Sequence, residues 1–450
     1  MKSTDISSQP QESSTLPEIF RLFGSLSLED LCRWDWEYVV FLSALSAVTY
    51  FTTWYLFFRP FNLFRDFTEL GFEQVMKGGQ YKTNAAKRNA INEYRRKRKI
   101  GDLPPSYPNG WFAILESDEL PVKTAKEVDA LGLNLVAWRG ESGKCYVADA
   151  YCPHLGAHLG VGGKVHSDCI ECPFHSWSFD GCTGKLTNIP YADSVPEFAK
   201  LKMWTTVEMY GFIYLWFHAE NEGPTWMPDI IPEVESQSWK YRGRSEFLVA
   251  CHIQEIPENG PDVAHLNVVH TSPILTGTNP EESCIGWNFI KHVWSASWTP
   301  NVEPRQHEAI LSVNHHISLF NKFPFFHIQV DVRQIGPGIV LMKFETIFGR
   351  GILIQNVTPL EPLLQRVTHR FYSAPTFIHP LGLLILHGEA TQISRDIRIW
   401  NRKTFINRPI LTKEDKLIKS FRRWYSQFYS ENSPKFQPNQ WGSSNKNLEF

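Results

Sequence analysis

The 450-residue sequence has no excess of either charge: 45 Lys and Arg stand against 47 Asp and Glu, a net charge of −2. The broad positive field that a nucleic-acid partner requires is therefore missing. No Gly-X-Gly-X-X-Gly fingerprint follows a strand, so any dinucleotide-dependent reductase is a separate protein. No internal repeat is visible, and residues 1–16, rich in Ser, Thr, Gln and Pro, read as disordered and make a poor signal-peptide start. Cysteine is sparse outside one stretch: of Cys32, Cys145, Cys152, Cys169, Cys172, Cys182, Cys251 and Cys284, four fall between 152 and 182, among histidines. In a chain of this length that clustering indicates metal ligation in a reducing compartment rather than a secreted disulfide framework.

Two things are plentiful. The length exceeds what one hydrophobic core usually organises, which predicts two folded units plus appendages. Aromatic residues make up 14% of the chain, with 16 Trp and 31 Phe, enough to furnish cores, membrane interfaces and apolar ligand pockets.

One long apolar run interrupts the otherwise mixed sequence. Tyr38 to Phe58 carries no charge over 21 residues, and at about 1.5 Å per residue it reaches across a hydrocarbon core of about 30 Å. The expectation is a transmembrane helix over 38–58, with Trp36, Tyr38, Trp54 and Tyr55 as its interfacial belt; a buried core helix is the alternative. Lys and Arg are few before it (Lys2, Arg21, Arg33) and frequent after it, ending in the run RRKRK at 95–99. The positive-inside rule then places the C-terminal side in the cytosol and sets the basic run against anionic headgroups. The resulting expectation is a single-pass protein of the endoplasmic reticulum, with 1–37 disordered or luminal and 59–106 a basic juxtamembrane connector.

From Tyr107 short β-rich stretches broken by Gly and Pro predict a compact β domain over 107–218, which the strand-like GFIYLWF closes. An acidic, Pro-rich linker is expected over 219–239. Residues 240–430 mix strand-like runs with helical segments near 251–270 and 384–405 and form a second, α+β domain, followed by a tail at 431–450. FIHPLGLLILHG at 377–388 is too short to span and reads as a core helix or a membrane-dipping element. Trp294, Trp298, Phe320, Phe323, Phe325 and Phe326 are candidates to line an apolar pocket, with core the default reading for most of them.

Two motifs carry chemistry. In the first, Cys152-X-His154 is followed after seventeen residues by Cys172-X-X-His175. Two loops that each give one thiolate and one imidazole suit a Rieske [2Fe–2S] cluster, in which two thiolates bind one iron and two imidazoles the other, raising the reduction potential. Zinc is the alternative for a Cys₂His₂ set, but zinc fingers pair Cys with Cys and His with His. Gly156, Gly160, Gly162 and Gly163 after the first loop, and Pro173, Gly181 and Gly184 in and after the second, fit tight cluster-enclosing turns. In the second motif, Asp262-X-X-His265-X₄-His270, the histidines lie about 140° apart on an ideal helix, so a bend is needed for both to meet one metal. Two His and one carboxylate bind Fe(II) while leaving positions open for O₂.

Through CPHLGAHLG, CPFHSWSFDGCTGK and the second motif behind them, residues 107–405 resemble the Rieske non-haem iron oxygenases. The N-terminal anchor, single-chain layout and NGPDVAHLNVVH are similar, more narrowly, to the animal Neverland-type cholesterol 7-desaturases. The resemblance implies an α+β protein: a β-sandwich Rieske domain, then a catalytic domain of helix-grip type with a curved antiparallel sheet. It implies cluster ligation by Cys152, His154, Cys172 and His175, leaving Cys145, Cys169, Cys182, His158 and His166 to packing. His265 and His270 become ligands of a mononuclear Fe(II), with Asp396, in a polar break of a helix-like stretch, as the third ligand and Glu389 as its rival. Asp262 falls where the family places an aspartate that links His265 to a cluster histidine, His175 of the same or a neighbouring subunit; the plainer alternative is a helix cap. The implied reaction converts cholesterol to 7-dehydrocholesterol on the route to steroid hormones, with O₂ and with NAD(P)H electrons from a separate reductase, in a membrane-bound homotrimer. A sterol or other lipid hydroxylase, a tetrapyrrole-acting oxygenase and a non-catalytic Rieske electron carrier are the alternatives.

Overall fold

The computed structural model describes residues 36–77, 81, 83–283 and 289–437. Cys32, Cys284, most of the segment expected to be disordered and the end of the tail lie outside them. Two compact units result, residues 1–59 and 60–450.

The described part of the first unit is one helix, α1 (Trp36–Phe57), with apolar side chains exposed along its length, among them Val39, Phe41, Leu45 and Val48. Among the described residues no helix is long and apolar enough to cross a membrane. The expected span over 38–58 is thus unsupported among the described residues, which show an apolar helix interleaved with Ser43, Ser46, Thr49, Thr52 and Thr53.

The second unit is built on an eight-stranded sheet in the order β1-β12-β18-β17-β16-β15-β14-β13. Its strands are β1 (Phe61–Arg65), β12 (Lys240–Val249), β13 (Ile290–Pro300), β14 (Glu308–Leu319), β15 (Phe323–Ile335), β16 (Ile339–Thr346), β17 (Gly349–Glu361) and β18 (Leu364–Ser373). All neighbours pair antiparallel except β1, which adds to β12 in parallel. Three smaller sheets precede this one. They are β10-β11-β2 (Thr206–Met209, Phe212–Phe217, Gly110–Glu116), β3-β4-β5 (Thr124–Ala130, Leu133–Arg139, Cys145–Asp149) and β6-β7-β8-β9 (Lys164–His166, Cys169–Glu171, Ser178–Phe179, Leu186–Asn188).

Alternation along β17 explains how the parts join. Ile352 and Ile354 point to one face, into a core with Trp111, Tyr214 and Phe212 of the small-sheet region. Leu353 and Val357 point to the other, into cores shared with a long helix, α4 (His379–Trp400): Leu353 in one with Leu386, Val357 in one with Ile393. Pro380 sits in the first turn of α4, where its missing N–H breaks no bond, so FIHPLGLLILHG starts a helix rather than interrupting one. A bidentate pair from Arg370 to Asp118, at 3.1 and 3.2 Å, ties β18 to the turn after β2.

Two expected spacers are structural. The linker at 219–239 buries Ile231 and Val234 beside Trp111. The connector at 59–106 supplies edge strand β1, buried Phe67 and Phe72, and helix α2 (Asn84–Arg96), which buries Ile91. Within the basic run, Arg95 lies buried over the Phe67 ring and donates to the Leu363 carbonyl, and Arg98 donates to the carbonyls of Ala250 and Asn401. Those two cations cap carbonyls of the fold instead of facing headgroups.

Candidate metal centres

Each cluster loop closes on itself by the same two bonds. The Cys152 N–H donates to the Ala157 carbonyl (2.9 Å) and the Gly156 N–H to the Cys152 carbonyl (2.9 Å). Twenty residues on, the Cys172 N–H donates to the Trp177 carbonyl (2.8 Å) and the Ser176 N–H to the Cys172 carbonyl (3.1 Å). Both turns need a left-handed residue at the fifth position, Gly156 at φ 73° and Ser176 at φ 56°. Cys152 and Cys172 are both buried in the core of this region. The His154 and His175 rings lie 4.7 Å apart, His154 stacks on Trp177 at 4.3 Å, and Trp177 donates to the Tyr191 hydroxyl at 2.8 Å.

These donors fit a cluster. The Nδ1 atoms of His154 and His175 are buried without any hydrogen-bond partner, a costly arrangement unless a metal takes the lone pair. Burial, with the neighbouring Cys172, pushes the Cys152 thiol up to about 11, against backbone N–H groups that favour the thiolate; metal binding would supply the charge that stabilises it. Each loop gives one thiolate and one imidazole, so two thiolates can serve one iron and two imidazoles the other, which suits a two-iron cluster. The other cysteines and histidines nearby are engaged elsewhere: His158 Nδ1 accepts from the Gly160 N–H, Cys145 contacts Glu208, and His166 pairs with Glu171.

The second donor set rests on a short helix, α3 (Val263–Val269), capped by the Asp262 carboxylate, which accepts the His265 N–H at 3.3 Å. The helix ends at His270, whose backbone leaves the regular path at φ −104°, ψ 11°. That ending supplies the bend which five-residue spacing demands, and the two rings meet at 5.2 Å. Asp396, from α4, places Oδ2 3.2 Å from His270 Nε2. His270 Nδ1 lies 2.9 Å from Gln392 Oε1, an atom that only accepts, so Nδ1 carries the proton and Nε2 faces the metal. His265 Nδ1 faces the Asp262 carbonyl oxygen, which fixes its tautomer the same way. Arg395 anchors the loop after α3 by donating to the carbonyls of Ser272, Pro273 and Gly277.

Glu389, the rival carboxylate, stands outside this group. It lines a cavity of about 410 Å³ between α4 and the sheet, which His265, His270 and Asp396 also line. Burial and the Asp396 charge push its carboxyl up to about 7, with His270 pulling the other way. Most other lining residues are apolar, among them Leu311, Val330, Met342 and Leu353; of the candidate aromatics Trp294 and Phe326 line it, while Trp298 sits in the core and donates to Gln334. Phe320, Phe323 and Phe325 are neither lining nor core: all three are exposed.

Asp262 makes no hydrogen bond to His175 among the described residues; its carboxylate caps α3. Sequence reasoning missed Gln392, whose place one helical turn before Asp396 was a usable signal. It also missed the stacked pair His292 and His315, joined at 2.7 Å beside the cavity, because their strands pair only in the fold.

A small-sheet region with a Cys₂His₂ cradle, joined to a sheet-and-helix body holding two His and one Asp, defines a Rieske-type oxygenase. Residues 110–199 match the Rieske [2Fe-2S] domain family and residues 215–429 the 3-Ketosteroid 9alpha-hydroxylase C-terminal domain family. Cholesterol 7-desaturase nvd of Xenopus laevis is 45% identical over 385 residues, 85% of this chain and 83% of its own. The protein of the same name from Drosophila melanogaster is 42% identical over 401 residues, 88% and 92% of the two chains. Dicamba monooxygenase bound to dicamba shares the fold at a TM-score of 0.52 and 16% identity, covering 71% of this chain and 96% of that one. The chain belongs to the cholesterol 7-desaturase family of Rieske oxygenases.

Proposed function

We propose that this chain desaturates cholesterol to 7-dehydrocholesterol, removing one hydrogen each from C7 and C8 of the B ring. Overall, cholesterol, O₂, NAD(P)H and a proton give 7-dehydrocholesterol, NAD(P)⁺ and two waters, the electrons arriving singly from a separate reductase. The observation that carries this reading is a two-His, one-Asp set opening into an apolar cavity, in a chain 45% identical to a cholesterol 7-desaturase along most of its length. When bound, a [2Fe–2S] cluster on Cys152, His154, Cys172 and His175 and an Fe(II) on His265, His270 and Asp396 supply single-electron transfer and O₂ activation. The chain's own groups set the conditions. Gln392 and the Asp262 carbonyl hold both imidazoles with Nε2 forward, and the apolar walls exclude water while they orient the rings of a sterol. The match to a 3-ketosteroid 9alpha-hydroxylase domain supports a second reading, steroid hydroxylation on the same metals; identification of the product by mass separates the two.

The chain is further read as a homotrimer in which Asp262 links His265 to His175 of a neighbouring subunit. Asp262→Ala deletes no metal ligand, so both irons should load and the cluster should still be reducible. Product formation should nevertheless fall further than the roughly 10- to 100-fold typical of outer-shell changes. A cap alone predicts about 1 kcal/mol of lost stability with turnover per folded molecule nearly intact. Cluster reduction, iron content and product measured on one sample decide, and near-normal turnover at normal iron content removes the link.

Membrane attachment is assigned to α1, with the body on the cytosolic face of the endoplasmic reticulum. The exposed apolar side chains of α1 and the Lys/Arg excess after it support this reading. Alkaline extraction of membranes should leave the full chain in the pellet, and protease added outside intact microsomes should cut the body. Release of the chain by alkali, or protection of the body, contradicts it.

A further inference from the structure

Among the exposed apolar residues of the second unit, one group shares a common place in the large sheet. Strand register places Phe320, Phe323 and Phe325 at the β14–β15 connection, Ile347 and Phe348 at the β16–β17 turn, and the end of β18, from which the chain runs to Ile378, all at one strand-end edge of the large sheet. Ile347 is 91% exposed. A clustered apolar surface of this kind marks an interaction site, whereas single exposed residues need no explanation.

Three observations identify the occupant. First, Phe61 pairs with Gly243 at the start of β12, on this same edge, so the chain enters the body here only a few residues after the apolar helix α1 ends. Second, Leu384 lines the cavity and is also 56% exposed, so the cavity reaches the surface at this edge; Phe326 and Ile328 line it from β15, next to exposed Phe323 and Phe325. Third, the exposed cations Lys322 and Arg350 flank the aromatic cluster, as suits side chains that reach headgroups while neighbouring rings enter the acyl region. At the opposite strand ends, just after β13, Val302 stands as an exposed apolar residue outside the cavity lining.

We propose that this edge is a second membrane-contact surface, with Phe320, Phe323, Phe325, Ile347 and Phe348 seated in lipid, and that the cavity opens there so that a substrate enters from the bilayer without crossing water. The inference rests on the membrane-attachment reading of α1 and goes beyond it, since it fixes which face of the body meets the lipid.

The test uses the full chain bound to phosphatidylcholine vesicles, with the photoreactive p-benzoylphenylalanine replacing Phe323, Ile347 or, as control, Val302. Irradiation should give lipid adducts at 323 and 347 and not at 302. Adducts to a second copy of the chain at 323 and 347, or equal lipid labelling at 302, overturn the proposal. Flotation of the same vesicles reads attachment by α1 separately: a chain that floats but labels no lipid at 323 keeps its anchor and loses this surface, and a chain that does not float loses both. A Phe320→Ser, Phe323→Ser, Phe325→Ser triple variant should keep its cluster absorbance and its turnover of a sterol delivered on cyclodextrin. Its uptake of cholesterol from vesicles should slow by about tenfold or more, given the apolar area withdrawn from lipid. Unchanged uptake at normal cluster content also overturns the proposal.

Discussion

Asp396→Ala should strip the mononuclear iron and stop turnover while the visible absorbance of the cluster persists. Asp396 is one of three donors within 4.8 Å of one another, and its Oδ2 lies 3.2 Å from His270 Nε2. Removing it leaves two imidazoles on a site that needs a charged oxygen to hold Fe(II), so the loss should exceed the roughly 100-fold caused by losing an outer-shell partner. Gln392, one turn earlier, still holds His270, so the site should be intact but empty. Glu389→Ala is the informative companion. Its carboxyl stands outside the donor group, and the variant should keep its iron. Iron analysis together with absorbance on both proteins checks the assignment, and iron retained in Asp396→Ala but lost in Glu389→Ala reverses it.

Cys172→Ser should abolish the cluster, its absorbance and all product, with mononuclear iron retained. The side chain is buried, and a hydroxyl there is a poor substitute for a thiolate on iron. Cys169→Ser, three residues away, provides the control. Cys169 lies on β7 with its thiol towards Thr187, and burial raises its pKa first among the causes, as for a packing residue. That variant should keep full absorbance. Absorbance lost in both, or in neither, contradicts the loop assignment.

The cluster cradle was legible in the sequence because its chemistry is local. All four donors lie within 24 residues of chain, on two loops whose glycines and prolines announce tight turns. The pair His265 and His270 was equally local, and the bend it needed turned out to be the end of a seven-residue helix. What could not be read was decided by partners distant in sequence. The stretch after the apolar helix looked like a basic spacer, yet β1 pairs with β12 some 180 residues later, and Arg95 and Arg98 serve carbonyls at 363, 250 and 401. Phe320, Phe323 and Phe325 looked like core or pocket, because hydrophobicity reports a wish for burial and not what supplies it. The apolar run at 38–58 was legible as a helix, α1, while the described residues do not support its spanning a membrane.

The most direct test of the central claim is product analysis of the purified chain supplied with cholesterol, O₂, NADPH and a reductase. The account predicts 7-dehydrocholesterol, two mass units lighter than the substrate and absent when Asp396 or Cys172 is replaced. A hydroxylated sterol as the main product, or no product from a chain carrying both the cluster and the mononuclear iron, would contradict it.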